Sequence, residues 1–167
     1  MQEGICFENR LSEWKNIESS NCYAFALGLD VDEDEICPYA YRIGNIFLQN
    51  KWSLWRSDPD NKIREIEEFI LDDFETLGIE CKIFRDKDKR QYLQELEHPN
   101  DCWDILLFVH RSGCYHFVRV GSNGLLYHKV GWREVPKLTD FEEIQRIYRG
   151  YRFARRYRLS LGEVSKK

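Results

Sequence analysis

The sequence lacks the features that would mark a membrane-spanning, metal-motif or repeat protein. None of its apolar runs approaches the roughly 20 residues needed to cross a bilayer, and the N-terminal stretch lacks the apolar core and basic flank of a signal peptide. It contains no CxxC or HExxH motif, no internal repeat and no low-complexity tract. The formal net charge is only −4, which gives no general attraction to nucleic acid or acidic lipid.

These absences leave an ordinary globular chain of 167 residues, for which we expect one domain over residues 1–167. We expect it in the cytoplasm, or exported without a cleaved signal peptide, with neither membrane nor nucleic acid as a partner. The six cysteines are scattered, so reduced thiols are expected rather than a disulfide framework. We expect no cofactor and no metal, and the oligomeric state stays open.

The periodicity of the apolar residues predicts an α+β fold, with a helix first and then a mainly antiparallel sheet. The sequence also predicts a short polar helix over 88–97 and irregular structure over 30–60. The principal predicted elements are a helix over 19–29 capped by Ser20 or Asn21 and ended by Gly28, a helix over 61–77, strands over 79–84, 102–110, 114–121 and 125–130, a helix over 139–147, and a strand in the closing YRGYRFARRYRL segment.

The candidate catalytic residues are one cysteine at the start of a predicted helix and two histidines far downstream in the sequence. Cys22 opens the apolar run CYAFAL, where unpaired backbone N–H groups favour a thiolate. His116 and His128 flank a predicted strand–turn–strand. Such a set can supply a nucleophile, a base and a group that orients the base.

Strand parity makes the histidine pair a conditional prediction. If residues 122–124 form a three-residue loop, Val118 faces His128, and both histidines lie on one apolar face. If Asn123 and Gly124 form a two-residue turn, His128 moves to the opposite face and the pair is lost.

Two other interpretations of the sequence are alternatives to a cysteine-dependent enzyme. A zinc site could use some of the nearby Cys102, His110, Cys114, His116 and His128, although no ligand motif has zinc-finger spacing. From Arg146 to the end, eight Lys or Arg accompany one Glu, which suits either a polyanion-binding surface or a charged edge strand. We favour the edge strand.

Residues 20–28 and 102–131 together resemble the NlpC-type branch of the papain-like cysteine peptidases. NCYAFAL is similar to the family's nucleophile helix, and HFVRVGSNGLLYH to its histidine-bearing strand–turn–strand. Asn21 and Tyr23 depart from the Asp-Cys-Ser-Gly that the family often shows at the nucleophile.

The resemblance implies a papain-like hydrolase that cleaves an amide bond, in a peptide or a peptidoglycan cross-peptide, through a thioester. A bacterial or phage-borne effector would accommodate the missing signal peptide. Deamidation or acyl transfer on a protein partner is the alternative with the same residues, and a non-enzymatic module using the basic C-terminal strand is the alternative without them. The implied catalytic residues are Cys22, His116 and His128; the oxyanion-hole candidates are Asn16 and Asn21, and the candidate cleft residues are Tyr23, Trp52, Trp55 and Tyr115.

Overall fold

Six antiparallel strands and three helices make up the described part of the chain, which is α+β as predicted. The computed structural model describes residues 21–28, 59–84, 102–112, 114–121, 124–130 and 137–162. In chain order the elements are α1 (Cys22–Leu27), α2 (Pro59–Leu77), β1 (Ile79–Phe84), β2 (Cys102–His110), β3 (Tyr115–Val120), β4 (Leu126–His128), β5 (Lys137–Thr139), α3 (Phe141–Ile147) and β6 (Tyr151–Leu161). The strand order across the sheet is β1-β6-β2-β3-β4-β5. No helix within the described ranges is both long and apolar enough to cross a membrane.

The helix ends follow from local capping. The Asn21 side-chain oxygen accepts hydrogen bonds from the backbone N–H groups of Tyr23 and Ala24, each at 2.9 Å, and so confirms one of the two predicted N-caps of α1. Gly28 ends this helix with φ of 78°, in the left-handed region that glycine adopts without strain. The helix predicted over 88–97 lies outside the described residues, as does most of the irregular stretch predicted over 30–60. The prediction was wrong for residues 59 and 60, which begin α2.

The two faces of the sheet bury different helices. The face that carries Phe117 packs against α1 and α2, and we call it the α1 face. The face that carries Val118 packs against α3, and we call it the α3 face. Because side chains alternate along a strand, neighbouring residues of β3 belong to different faces.

The basic C-terminal strand is not an edge strand, so that expectation was wrong. β6 pairs with β1 on one side and with β2 on the other. Arg155 Nε donates to Glu67 at 2.8 Å, while Arg156 and Arg158 both donate to the fully buried carboxylate of Asp104. These three arginines therefore serve internal ion pairs, because a carboxylate taken out of water needs a paired charge.

Candidate active site

The hairpin between β3 and β4 has the register that places both histidines on one face. Gly121 N–H donates to the carbonyl of Leu125 at 2.8 Å, and Val118 pairs with His128. Gly124 has φ of 74°, the left-handed conformation that a three-residue loop requires. His116 and His128 consequently both lie on the α3 face.

The two imidazoles form a buried pair. Their ring centroids are 5.5 Å apart with the planes at 90°, and the residues are only 2% and 1% exposed. Neither Nε2 of His116 nor Nδ1 of His128 has a hydrogen-bond partner among the described residues. Buried polar nitrogens are normally hydrogen-bonded, so two such atoms in one cluster mark a place that packing alone does not account for.

Burial keeps both imidazoles neutral near pH 7. It lowers the pKa of His116 from 6.5 to about 3, with a smaller contribution in the same direction from His128. Burial also lowers the pKa of His128, opposed by the Glu143 carboxylate and reinforced by the Lys137 ammonium. A neutral imidazole has a lone pair that can accept a proton, but a pKa of about 3 makes His116 a weak base at neutral pH in this state.

The thiol of Cys22 lies half-buried at the start of α1, beside β3. The backbone groups of Phe117, Tyr23 and Cys22 itself favour the thiolate and act to lower the pKa of the thiol. Burial has the larger effect and raises the pKa of the thiol, so the resting group is protonated at neutral pH. The Lys129 ammonium opposes burial and lowers this pKa.

The cysteine and the histidines reach this site from opposite faces of the sheet. α1 packs on the α1 face, whereas His116 and its neighbour His128 lie on the α3 face. The thiol engages the backbone of Phe117, the residue directly after His116. It makes no hydrogen bond with Nε2 of His116, which has no partner in the described part of the chain. The structure thus joins the two histidines closely and brings the cysteine to the adjacent peptide.

Tyr148 is a site residue that sequence reasoning assigned to the last strand. It is the C-cap of α3, and its ring stacks on His116 with centroids 4.0 Å apart and planes at 20°. Its hydroxyl is buried with no hydrogen-bond partner among the residues described. Burial, and then negative charge on Cys22, raises the Tyr148 pKa, which places the ring within electrostatic range of the thiol. The sequence offers no signal for it beyond an aromatic residue at a predicted helix end.

The remaining predicted site residues have other contacts or lie outside the described ranges. Tyr23 is fully buried and donates its hydroxyl to Asp73 at 3.0 Å, so it is a core residue rather than an exposed cleft residue. Tyr115 is half-buried, with its ring edge-on to Phe117 at 5.8 Å. The side-chain oxygen of Asn21 caps α1 directly beside Cys22. Three predicted residues lie outside the described part: Asn16, Trp52 and Trp55.

The described residues do not form the set of ligands that the alternative interpretation, a zinc site, would need. Nowhere among those residues do three His, Cys, Asp or Glu side chains converge as metal ligands would. Cys102 and His110 stand at opposite ends of β2, and a strand of nine residues is about 27 Å long, too far for one ion. The Nδ1 atom of His110 is instead 2.7 Å from the hydroxyl of Ser112.

The described site therefore combines a thiol, two neutral imidazoles and a stacked phenol at one end of the β3–β4 hairpin. Such groups can support nucleophilic and acid–base chemistry. A scan against models of known protein families gives no match for this chain, and a search of curated proteins gives none either.

Proposed function

We propose that the chain is a papain-like cysteine hydrolase of the NlpC type that cleaves an amide bond. Cys22 is the nucleophile, His116 the general base and acid, and His128 the group that orients His116. The observation that carries the proposal is the pairing of the two buried imidazoles at the strand β3 against which the Cys22 end of α1 packs.

The proposed reaction divides amide cleavage into two steps. The Cys22 sulfur attacks the carbonyl carbon while His116 takes the thiol proton, and the same proton passes to the leaving amine as the C–N bond breaks. A thioester then remains on Cys22. Water attacks it, with His116 accepting a proton from the water and returning it to the departing sulfur.

In the resting state, Cys22 and His116 are expected to be a thiol and a neutral imidazole rather than a thiolate–imidazolium ion pair, so the proton moves during the attack. Burial raises the pKa of Cys22 and lowers that of His116 to about 3, so a thiol and a neutral imidazole coexist at pH 7. Because the thiol lies on the α1 face and the imidazole on the α3 face, rotation of the Cys22 side chain alone does not bring them together. The transfer requires a movement of the start of α1 relative to β3, and substrate binding is the event proposed to drive it, because contacts at catalytic groups commonly tighten only in the substrate complex.

The substrate class is a peptide or a peptidoglycan cross-peptide, as the resemblance implies. Transfer or deamidation would use the same three residues with another acceptor, so it stands as the second enzymatic candidate. The non-enzymatic candidate, a polyanion-binding module on β6, is disfavoured because Arg155, Arg156 and Arg158 are held by internal carboxylates.

Alkylation by iodoacetamide separates a catalytic thiol from a structural one. Burial alone predicts that the exposed Cys114 reacts fastest, since Cys22 is half-buried. The hydrolase proposal predicts instead that Cys22 reacts fastest near neutral pH, as read by mass mapping of the labelled peptides. It also predicts that His116→Ala slows labelling of Cys22 by about a hundredfold or more, since general-base catalysis typically contributes at least about a hundredfold.

The matched control is His110→Ala, which removes an imidazole outside the buried pair and should leave Cys22 labelling unchanged. Circular dichroism of each variant confirms that the fold is retained. If Cys114 outruns Cys22 in the folded wild-type protein, or if both histidine variants behave alike, the hydrolase proposal is wrong. Incubation with peptidoglycan and with a denatured protein, followed by detection of new amino groups, then distinguishes the two substrate classes.

A further inference from the structure

Lys129 is a fully buried lysine that the proposed reaction does not use. It follows directly after β4 and has 0% of its surface exposed. Lysine is among the residues least often buried, because removing an ammonium from water is costly unless opposite charge or hydrogen bonds compensate. Lys129 has interactions of its own within the protein, and its charge also acts on the sulfur of the candidate nucleophile.

The end of the hairpin places Lys129 near the peptide that adjoins the thiol. Val118 pairs with His128, the last residue of β4, so Phe117 and Lys129 directly adjoin this pair along the chain. The backbone of Phe117 and the charge of Lys129 both favour the thiolate form of Cys22. The lysine and the sulfur thus both lie near the end of the β3–β4 hairpin that carries His116 and His128.

The surroundings of the thiol differ from those of the imidazoles. Cys22 packs against the residues of the α1 face, whereas His116 and His128 pair on the α3 face. α1 contacts both β3 and β4, and Lys129, directly after β4, is fully buried. The thiol therefore has a buried cation near it and the imidazoles on the opposite face.

Two other titratable groups of the described elements interact with the charge of Cys22, namely Tyr148 and Tyr151, in the chain from α3 into β6. The neutral His116 and His128 of β3 and β4 lie on the opposite face. On the α1 face, Arg119 donates to the carbonyl of Ala26 at 3.4 Å, near the C-terminal end of α1, away from Cys22 at its start. α2 contributes Asp73, which accepts from the Tyr23 hydroxyl.

We propose that Lys129 is a positioning residue that holds its ammonium beside Cys22 and stabilises the thiolate formed during attack and released at deacylation. This inference rests on the proposed role of Cys22 as the nucleophile. The charge acts on both occasions when the sulfur is an anion: after His116 has taken the thiol proton, and when the thioester breaks and the electron pair returns to sulfur. The direction follows from the charges, because an ammonium near the sulfur lowers the pKa of the thiol and so favours the thiolate.

The test is the pH dependence of Cys22 alkylation in Lys129→Met. Loss of a nearby cation should raise the apparent pKa of Cys22 by about one unit. The thiolate fraction at pH 7 then falls about tenfold, while the more basic thiolate is about threefold more nucleophilic, so the net rate falls about threefold. At high pH the variant should react about threefold faster than the wild-type protein, so the two rate profiles cross.

This crossing is a result that mere structural damage does not produce, since a loosened fold exposes Cys22 and accelerates alkylation at every pH. Lys129→Gln is the second variant, because it removes the charge but keeps a hydrogen-bonding side chain if methionine is not tolerated. Lys82→Met removes an exposed lysine from β1, at the far edge of the sheet, and should leave the profile unchanged.

The two proposals fail in different ways. If Cys22 is the fastest thiol and depends on His116, but its profile is the same in the folded Lys129 variants, the inference on Lys129 is overturned and the hydrolase proposal stands. If Cys22 is unreactive in the wild-type protein, the hydrolase proposal fails first, and the inference fails with it.

Discussion

Burial of a neutral His116 should make the protein less stable as the pH falls from 8 to 5. The pKa of this imidazole is 6.5 in an unfolded chain and about 3 in the folded protein. Between these values the unfolded state binds a proton that the folded state does not, so the free energy of unfolding decreases as the pH falls below about 6.5. Each pH unit in this window is worth about 1.36 kcal/mol. At pH 5, about 1.5 units below the unfolded pKa, the loss from His116 alone is about 2 kcal/mol.

Guanidinium unfolding of the wild-type protein and of His116→Gln at pH 8 and pH 5 measures this loss. The variant cannot bind the proton, so its stability should decrease between the two pH values by about 2 kcal/mol less than that of the wild-type protein. His128 acts in the same direction and supplies part of the dependence that remains. His110→Gln, which removes an imidazole outside the buried pair, should behave as the wild-type protein does. Equal pH dependence in the wild-type protein and His116→Gln would refute a neutral, buried His116.

Two further substitutions test the surroundings of the site. Asp104→Asn leaves two arginines of β6 without their buried carboxylate and should destabilise the protein by about 3–5 kcal/mol, whereas the exposed Glu80→Gln should cost less than about 0.5 kcal/mol in the same guanidinium measurement. Tyr148→Leu removes the ring stacked on His116, should cost about 1 kcal/mol, and should weaken the pH dependence of stability because the imidazole is less buried. Tyr148→Phe keeps the ring, so its pH dependence should match that of the wild-type protein; if both Tyr148 variants respond alike, the stack does not shield the imidazole.

The elements with strong periodicity or clear stops were predictable from sequence. β1 and β2 have the predicted bounds, and α2 ends at Leu77 because Gly78 adopts the left-handed conformation. α2 begins at Pro59, two residues before the predicted start, since proline is well suited to the first turn of a helix. These signals are local, so neighbouring residues alone were enough to read them.

The position of β6 was not predictable from its own residues. Alternating arginines suggested an edge strand, but the partners that neutralise them come from other elements: Glu67 on α2 and Asp104 on β2. An ion pair between segments that are distant in sequence produces no periodic pattern in either segment, so it cannot be predicted from the residues of β6 alone. β5 was missed for a different reason, because three residues, Lys137–Thr139, are too short to show alternation.

The candidate site was predictable within the hairpin but not across the sheet. A two-residue period relates His116 to His128 once the loop length is known, so sequence supplied both the pair and its condition. The two-residue alternation along β3 and β4 does not predict on which face of the sheet α1 packs, because the position of a helix depends on tertiary contacts. The approach of Cys22 from the opposite face therefore appears only in the structure, and so does Tyr148, whose role depends on where α3 ends.

The separation of the site into two faces has a consequence for its chemistry. A buried thiol must lose a proton and must also carry a negative charge, and in this chain the groups suited to these tasks differ. Neutral His116 is suited to take the proton but supplies no charge before it does so. Lys129 cannot accept a proton while it is an ammonium, but its positive charge lowers the pKa of the Cys22 thiol, which burial raises. Loss of His116 should thus slow the transfer while leaving the cation in place, and loss of Lys129 should shift the ionisation while leaving the base in place. Because one change acts on a rate and the other on a pH midpoint, the two roles are separable in a single alkylation profile.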